Sequence, residues 1–137
     1  MKKLSNKLEF LMKLSRAEAV LSRKVHGQGL GFTDLVVLRA INNAQDGKIR
    51  RTDLADAVGL TTSGVTRLLV PLEKIGVVKR EAHERDARVS YTMLTKSGKE
   101  LYEDSIKWIE DKIDDLISDD YAKQIDQASE LLDKILQ

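Results

Sequence analysis

The amino-acid sequence predicts a mainly α-helical chain with one small β-hairpin, folded as a single domain. Apolar residues recur at helical spacing through most of the chain, whereas residues 77–95 switch to extended runs rich in Val, Thr and Tyr. A length of 137 residues suffices for one hydrophobic core, and no internal repeat or low-complexity tract divides the chain.

Two helices are predicted in the first third of the chain. The first covers about residues 3–25 and ends at residues 26–31, where three glycines in five residues favour a loop. Thr33 is the predicted N-cap of the second helix. Residues 48–50 form a run too short to classify, and it is compatible with a single strand.

Residues 52–75 have the pattern of a helix-turn-helix. Thr52 is predicted to cap a short helix that stops at Gly59, and Thr61 to cap a longer helix that reaches Ile75. Gly59 stands where the chain must leave the first helix with a backbone angle that glycine adopts easily. Pro71 removes a backbone hydrogen bond inside the longer helix, so a bend or compensating packing is expected there.

The longer helix has one apolar face and one polar face. At ~100° per residue, the apolar face comprises Val65, Leu68, Leu69, Leu72 and Ile75. The opposite face comprises Ser63, Thr66, Arg67, Val70 and Lys74. Hydroxyls bind phosphates or base edges and Arg can bind guanine with two hydrogen bonds, so this face suits the major groove of DNA. An ordinary amphipathic helix is the alternative, but it does not explain the lack of acids before Glu73.

Residues 77–83 and 88–95 are predicted to pair as a hairpin whose polar tip carries Arg85, Asp86 and Arg88. After a groove-reading helix, such a tip suits a wing beside the DNA backbone or in the minor groove, where negative potential favours Arg. Asp86 would be repelled by phosphate unless paired, so we expect it to orient the Arg88 guanidinium. The alternative is a solvated hairpin whose ion pairs contribute little. His83 is predicted to be an exposed strand residue.

The C-terminal part is predicted to contain two further helices. Thr95 caps a long helix that continues to Leu116 or Ile117, and Ser118 caps a last helix over about residues 119–136. The last helix carries an apolar stripe made of Tyr121, Ile125, Ala128, Leu132 and Ile135. Leu4, Leu8 and Leu11 offer a matching surface near the N-terminus. Periodicity leaves open whether these surfaces pack within one subunit or between two.

Charge and composition narrow the function. Residues 1–99 carry 19 basic and 10 acidic side chains, whereas residues 100–137 carry 4 and 12. This division suits a protein that presents one side to a polyanion, although solvation of helices explains the acidic end about as well. The absence of Cys excludes disulfides and thiol sensing, and two His are too few for a His-dominated metal site. We therefore expect no metal and no cofactor.

Other function classes lack their sequence features. No apolar run reaches the roughly 18 residues of a membrane span, so no membrane partner and a cytoplasmic location are expected. There is no glycine elbow around a Ser, no phosphate loop and no Ca²⁺-loop spacing among the acids, so no enzyme is expected. A winged-helix module that binds protein without reading DNA sequence is the alternative, and acids or large apolar residues at positions 63, 66 and 67 would have favoured it.

Residues 53–81, followed by residues 84–98, resemble the MarR family of transcriptional regulators, which are winged helix-turn-helix repressors. The specific part is the Asp86-x-Arg88 pair at a fixed distance from Leu94-Thr95 and Gly98. The resemblance implies a winged helix-turn-helix lobe over about residues 33–95, and dimerisation helices over about residues 3–25 and 96–136. The DNA-binding residues it implies, together with the faces described above, are Thr61, Thr62, Ser63, Thr66, Arg67, Lys74, Arg85, Asp86 and Arg88.

The same resemblance implies partners. Family members act as two-fold dimers on double-stranded DNA, so a pseudo-palindromic operator with half-sites about one DNA turn apart, ~34 Å, is expected. Many are released by a small aromatic effector held between the dimer helices and the DNA lobe. Trp108, Phe32 and Tyr102 could line such a pocket, or they could belong to the core.

Overall fold

The computed structural model describes residues 2–137, which form seven α-helices and five short strands. The helices are α1 (Asn6–Lys24), α2 (Phe32–Asn42), α3 (Arg51–Val58), α4 (Thr62–Lys74), α5 (Lys96–Glu110), α6 (Ile113–Leu116) and α7 (Ala122–Ile135). The strands are β1 (His26–Gly27), β2 (Leu30–Gly31), β3 (Lys48–Arg50), β4 (Val78–Ala82) and β5 (Ser90–Leu94). Short 3-10 turns lie at Gln45–Gly47 and Asp119–Tyr121. The mainly α-helical class with a small β-hairpin is confirmed.

Two predicted helix caps are confirmed. The Thr61 hydroxyl accepts the backbone N–H of Gly64 at 3.0 Å, and the Thr95 hydroxyl accepts that of Gly98 at 2.9 Å. Each bond satisfies an amide that has no partner within the first turn of the helix. These two caps start α4 and α5, so they fix where the helix after the turn and the helix after the hairpin begin.

Two other predicted caps are wrong. Thr33 lies inside α2, whose N-cap is Gly31, because Asp34 reaches back to accept the Gly31 N–H at 3.0 Å. Thr52 lies inside α3, which begins one residue earlier because β3 leads directly into the helix and Arg50 serves as its N-cap. In both places a neighbouring element starts the helix before the threonine that the sequence offers.

The glycine-rich segment predicted as a loop is a tight β-hairpin. His26 pairs with Gly31 and Gly27 with Leu30, while the two residues between the strands both have positive φ angles. This turn geometry matches the twist of a two-residue hairpin. The Gly27 carbonyl accepts the hydroxyl of the buried Ser105, at 3.2 Å, so the hairpin is attached to α5.

The second sheet has three antiparallel strands in the order β3-β5-β4. Val78 to Ala82 lie opposite Leu94 to Ser90, which confirms the predicted hairpin. Lys48 to Arg50 lie opposite Met93 to Tyr91, so the run that was too short to classify is a strand. The sheet therefore ties the hairpin to the chain that precedes α3.

The hydrophobic core lies among α2, α3, α4 and the start of the hairpin, and Tyr102 of α5 also belongs to it. Of the predicted apolar face of α4, Val65, Leu69 and Leu72 are buried and Leu68 is half-buried. Ile75 was wrongly included, because it follows the last residue of α4 and is 67% exposed.

The C-terminal part differs from the prediction in one respect. The long helix was expected to reach Leu116 or Ile117, but α5 ends at Glu110 and a separate short helix, α6, follows. The Lys112 N–H bonds to the Ile109 carbonyl, three residues back, at 2.9 Å, so the chain makes a tighter turn between the two helices. Ser118 caps the 3-10 turn that leads into α7, by accepting the Asp120 N–H at 3.2 Å.

Candidate nucleic-acid interface

The first turn of α4 presents a cluster of small hydroxyl side chains to solvent. Thr61, Thr62 and Ser63 are all exposed there. The turn that precedes them contains Gly59, whose φ of 71° is left-handed and lets the chain reverse direction between α3 and α4. The free amides of a helix N-terminus attract anions. This end of α4 can therefore bind phosphates or base edges through both backbone and side chains.

The rest of the outer face of α4 is exposed and carries two basic side chains. Arg67, Val70 and Lys74 are exposed along it, as the helical pattern predicts. Pro71 does not end the helix, since α4 runs unbroken from Thr62 to Lys74 around it, and its side chain is exposed. The face therefore extends through all of α4, with hydroxyls at its N-terminal end and Lys74 in its last turn.

Thr66 is the member of this face that is held in place. It is half-buried, and its Oγ1 accepts a hydrogen bond from Nη1 of Arg51 at 3.2 Å. The Arg51 Nε is shielded from solvent and has no acceptor among residues 2–137. The Thr66 hydroxyl accepts this bond and keeps its own O–H as a donor. Sequence reasoning missed Arg51, since its contact lies 15 residues away on the next helix.

At the wing, Asp86 and Arg88 pair as predicted. The Asp86 carboxylate accepts Nε of Arg88 at 3.1 Å and Nη2 at 3.3 Å, and its Oδ1 also accepts the Arg88 backbone N–H at 3.0 Å. The side chain of Arg88 is 91% exposed. The hydrogen bonds from Arg88, its side chain first, hold the pKa of Asp86 below its ordinary value. The pair is therefore ionised near neutral pH and presents a guanidinium of fixed orientation.

His83 has a different place from the one predicted. It lies beyond the end of β4 and is half-buried, and its Nδ1 accepts the backbone N–H groups of Arg85 at 3.0 Å and Asp86 at 3.2 Å. The prediction of an exposed strand residue is wrong, because the imidazole folds back over the turn that follows it. The charged run at residues 83–88 has no periodic pattern, so the sequence could not predict this contact.

The junction between α4, the wing and α5 explains the spacing of Thr95 and Gly98. Thr95 donates its hydroxyl hydrogen bond to the Gly76 carbonyl and accepts the Gly98 N–H, while its own N–H bonds to the Val77 carbonyl at 3.0 Å. A Cβ on Gly98 would collide with that same Val77 carbonyl. Glu73 of α4 also accepts Nε of Arg80 in β4, at 3.2 Å. These contacts fix the wing relative to α4.

A cavity of about 320 Å³ lies between the end of α1 and the α5–α6 segment. Its walls include Trp108, Ile109, Ile113 and Leu116, and Lys24, His26 and Lys112 also line it. The Lys112 ammonium lies 4.5 Å from the centre of the Trp108 ring. The sequence left open whether Trp108, Tyr102 and Phe32 line a pocket or belong to the core. Trp108 lines this cavity, Tyr102 belongs to the core, and Phe32 does not line the cavity.

The terminal helices expose their apolar faces. The exposed residues of the N-terminal part are Leu4, Leu8, Phe10, Leu11 and Met12. From residue 116 onward the exposed apolar residues are Leu116, Ile117, Tyr121, Ile125, Leu131, Ile135 and Leu136. Leu132, a member of the predicted stripe, is half-buried. Exposed apolar residues in such number along adjoining helices mark an interaction surface.

The part of the chain that the structure describes contains neither a membrane-spanning helix nor a cluster of metal-binding side chains. None of its helices combines the length and the apolar character needed to cross a bilayer. Across residues 2–137, no three side chains among His, Asp and Glu come together as a metal site would require.

Comparisons with known proteins agree with this architecture. A family model described as the MarR family matches residues 32–90. The HTH-type transcriptional regulator SarZ of Staphylococcus haemolyticus is 32% identical over 112 residues, which cover 80% of this chain and 74% of SarZ. The chain spans only 44% of YfiV, an uncharacterized HTH-type transcriptional regulator of Bacillus subtilis that is 34% identical over 73 residues.

Solved structures share the fold at low sequence identity. Sco3205 of Streptomyces coelicolor, a MarR family transcriptional regulator in complex with DNA, superposes with a TM-score of 0.75 at 22% identity, covering 100% of this chain and 92% of Sco3205. NadR, in complex with 4-hydroxyphenylacetate, superposes with a TM-score of 0.72 at 21% identity, covering 100% of this chain and 96% of NadR.

Proposed function

The chain belongs to the MarR family of transcriptional regulators, and we propose that it is a homodimeric repressor that binds a pseudo-palindromic operator and is released by a small aromatic ligand. In this proposal it works in the cytoplasm and performs no catalysis. The second candidate is a winged-helix module that binds protein, and the acid-free outer face of α4 before Glu73 argues against it.

The observation that carries the proposal is the Asp86–Arg88 pair on the wing. Asp86 occupies Nε and one N–H of Nη2, so the Nη1 side of the guanidinium remains available, on a side chain that is 91% exposed. An arginine held in this way loses less side-chain entropy when it enters the minor groove, where negative potential is concentrated. A surface ion pair without a ligand contributes little, so binding DNA is the better account of the geometry.

The hydroxyl end of α4 completes the proposed interface. With Arg88 in the minor groove, the N-terminal turn of α4 with Thr61, Thr62 and Ser63 enters the adjacent major groove, and Arg67 follows on the same face. In this assignment Thr66 and Arg67 contact base edges, Lys74 and Arg85 contact phosphates, and Asp86 orients Arg88. A dimer formed through the terminal helices repeats the set on the second half-site.

The cavity beside Trp108 is the proposed effector site. A volume of about 320 Å³ suits a single aromatic ring with a short side chain. The apolar wall accepts the ring, and the ammonium groups of Lys24 and Lys112 suit a carboxylate. NadR binds 4-hydroxyphenylacetate, an aromatic acid, which supports this choice. Because Lys24 ends α1 and Lys112 follows α5, a bound acid would join the two helices.

The test is a titration against the DNA upstream of the protein's own gene and against a shuffled copy, by fluorescence anisotropy at several salt concentrations. We expect tighter binding to the upstream DNA, weakening steeply with salt as phosphate contacts require. No preference at any salt concentration would favour the protein-binding module.

Arg88→Ala measures the wing within the same assay. We expect operator binding to weaken by about 1–2 kcal/mol per half-site, because the variant loses its minor-groove contact. The circular dichroism melt should stay nearly unchanged, since the side chain is 91% exposed. Arg16→Ala, on the exposed surface of α1, removes the same charge outside the interface and is the matched control. If both variants weakened operator binding equally, Arg88 would contribute only through the net charge of the protein.

A further inference from the structure

His83 lies at the base of the wing tip, and nothing in the pairing of the two strands requires a histidine there. We propose that His83 is a positioning residue: its neutral imidazole shapes the wing tip through Nδ1 and so sets the orientation of Arg88 toward DNA. The DNA part of this inference rests on the proposed function, whereas the shape of the wing does not.

His83 holds the wing tip through both its side chain and its backbone. Its Nδ1 accepts the N–H of Arg85 at 3.0 Å and of Asp86 at 3.2 Å, and its own backbone N–H donates to the Val89 carbonyl at 2.9 Å. Val89 in turn donates its N–H to the Asp86 carbonyl at 3.0 Å. Residues 83–89 contain no strand or helix, so these bonds, together with the one from the Arg88 N–H to the Asp86 carboxylate, hold their conformation.

Asp86 connects His83 to Arg88. Its backbone N–H is held by the imidazole, and its carboxylate holds the Arg88 backbone N–H, Nε and Nη2. The position of the Asp86 backbone therefore sets the position of the carboxylate, and the carboxylate sets the orientation of the guanidinium. If the imidazole releases the Asp86 amide, the pair can survive as an ion pair but loses its fixed place on the wing.

This role requires one protonation state of His83. A neutral imidazole has one accepting and one donating nitrogen, and acceptance at Nδ1 places the proton on Nε2. Protonation turns both nitrogens into donors, so both wing amides lose their acceptor at once. Histidine is the side-chain type whose charge changes between about pH 5 and pH 8. A charged imidazole at this position should therefore weaken operator binding.

The charged and titratable groups around the imidazole do not replace the lost acceptor. Those that surround His83 are Lys48, Glu81, Glu84, Arg85, Asp86 and Tyr91, and Arg50 acts on Asp86. The carboxylates attract an imidazolium while Lys48 and Arg85 repel it. Since hydrogen bonds from Arg88 keep the pKa of Asp86 below its ordinary value, the carboxylate stays ionised from pH 8 to pH 6. A change in binding over this range is therefore not a titration of Asp86.

Two substitutions separate the acceptor from the ring. His83→Asn places a carbonyl oxygen on Cγ, where Nδ1 is attached in histidine, and this oxygen accepts hydrogen bonds at any pH. His83→Phe keeps a ring beside Tyr91, whose centre lies 5.8 Å from that of the imidazole, but offers no acceptor. Both variants keep His26, the other histidine of the chain, so any difference between them arises at position 83.

The experiment measures operator affinity by anisotropy at pH 8 and pH 6. We expect the parent chain to lose more affinity on acidification than His83→Asn does, because only the parent chain can lose its acceptor. At pH 8, His83→Asn should bind within about twofold of the parent chain, and His83→Phe should be weaker by about tenfold at both pH values. Equal affinity of His83→Phe and the parent chain at pH 8, or an equal loss in His83→Asn and His83→Phe, would overturn the proposal.

Amide exchange in the free protein separates this inference from the proposed function. Protection factors for the Arg85 and Asp86 amides, measured by NMR at pH 8, should be retained in His83→Asn and lost in His83→Phe. If the amides follow this pattern and no form of the protein prefers operator DNA, the proposed function fails and the role of His83 in the wing stands. If operator binding is normal and the amides ignore both substitutions, the role of His83 fails alone.

Discussion

The winged-helix lobe and the terminal helices have similar amphipathic sequences but bury their apolar residues differently. In the lobe, Leu38, Ile41 and Leu54 are 0% exposed. In the terminal helices, Leu11 is 46% exposed and Ile125 is 41% exposed, and α1, α6 and α7 contain no buried residue at all. The lobe therefore completes its core within one chain, whereas the terminal helices leave an apolar face for a partner to cover.

This difference predicts that the two regions contribute differently to the free energy of unfolding. The free energy of the lobe comes from contacts within one subunit, so it should not depend on protein concentration. In the proposed dimer, the free energy of the terminal helices includes contacts with a second copy, so it should rise with concentration. Substitutions in the terminal helices should therefore affect dimer formation, whereas substitutions in the lobe should affect the stability of the single subunit.

The largest effect is expected from Ile125→Asp in α7. Ile125 is already 41% exposed in one subunit, so the substitution leaves the lobe core intact. In a dimer it would bury an unpaired carboxylate at two symmetric places, each at a cost of several kcal/mol. We expect sedimentation equilibrium to show a monomer at concentrations where the parent chain is a dimer.

The control for this substitution is Gln127→Asp, which adds the same charge on the polar face of α7 and should leave the dimer intact. Leu132 is a poorer choice than Ile125, because it is half-buried and its loss would also affect the single subunit. A dimer that withstands Ile125→Asp would place the interface on another surface of the chain.

A smaller but still large effect is expected from Gly98→Ala in the lobe. The new Cβ would collide with the Val77 carbonyl, a backbone atom that cannot move aside without shifting the wing or α5. We expect a loss of about 2–4 kcal/mol in the free energy of unfolding, measured by urea denaturation at fixed concentration. Lys99→Ala, at an exposed position next to it, should change little. A midpoint shift that disappeared at high protein concentration would instead point to the dimer.

Most of the fold could be predicted because its determinants are local. Thr61 and Thr95 cap their helices through amides three residues away, and the alternation in residues 77–95 marks the hairpin. The failures come from contacts between elements. The early start of α3 depends on β3, a three-residue segment that is a strand only because it pairs with β5. No local pattern carries that information.

The candidate site divides in the same way. The pairing of Asp86 with Arg88 was predictable, because the two residues are two apart and their charges decide the contact. Arg51 and His83 were missed as contributors. Arg51 reaches Thr66 on another helix, and the contact of His83 depends on the backbone conformation of a turn. The side chains proposed to contact DNA were thus easier to identify from the sequence than the side chains that position them.

Arg67→Ala tests specificity rather than stability. Arg67 is exposed on the outer face of α4, so the melt should not change. If the guanidinium reads a base, the preference for operator over shuffled DNA should fall by about 1–3 kcal/mol per half-site. Lys74→Ala, near the end of the same helix, is expected to weaken binding to both DNAs alike. The same uniform weakening in Arg67→Ala would mean that Arg67 contacts a phosphate.

The smallest effect is expected from Arg51→Met, which tests whether a contact inside the lobe positions the proposed DNA-binding face of α4. Methionine keeps much of the aliphatic volume and removes the bond from Nη1 to the Thr66 hydroxyl, so the melt should change little. Operator affinity should fall by about 1 kcal/mol or less per half-site, because the Thr66 hydroxyl can then rotate away. Arg50→Met, at the exposed neighbouring position, is the control.

A double-mutant cycle with Thr66→Val decides how Arg51 acts. If Arg51 works only by holding the Thr66 hydroxyl, Arg51→Met should weaken binding no further once that hydroxyl is gone. Full additivity of the two losses would show that Arg51 acts independently of Thr66, for example through its own phosphate contact. In that case the lobe would read DNA with an additional arginine from α3, and the Thr66 side chain would need no support from within the subunit.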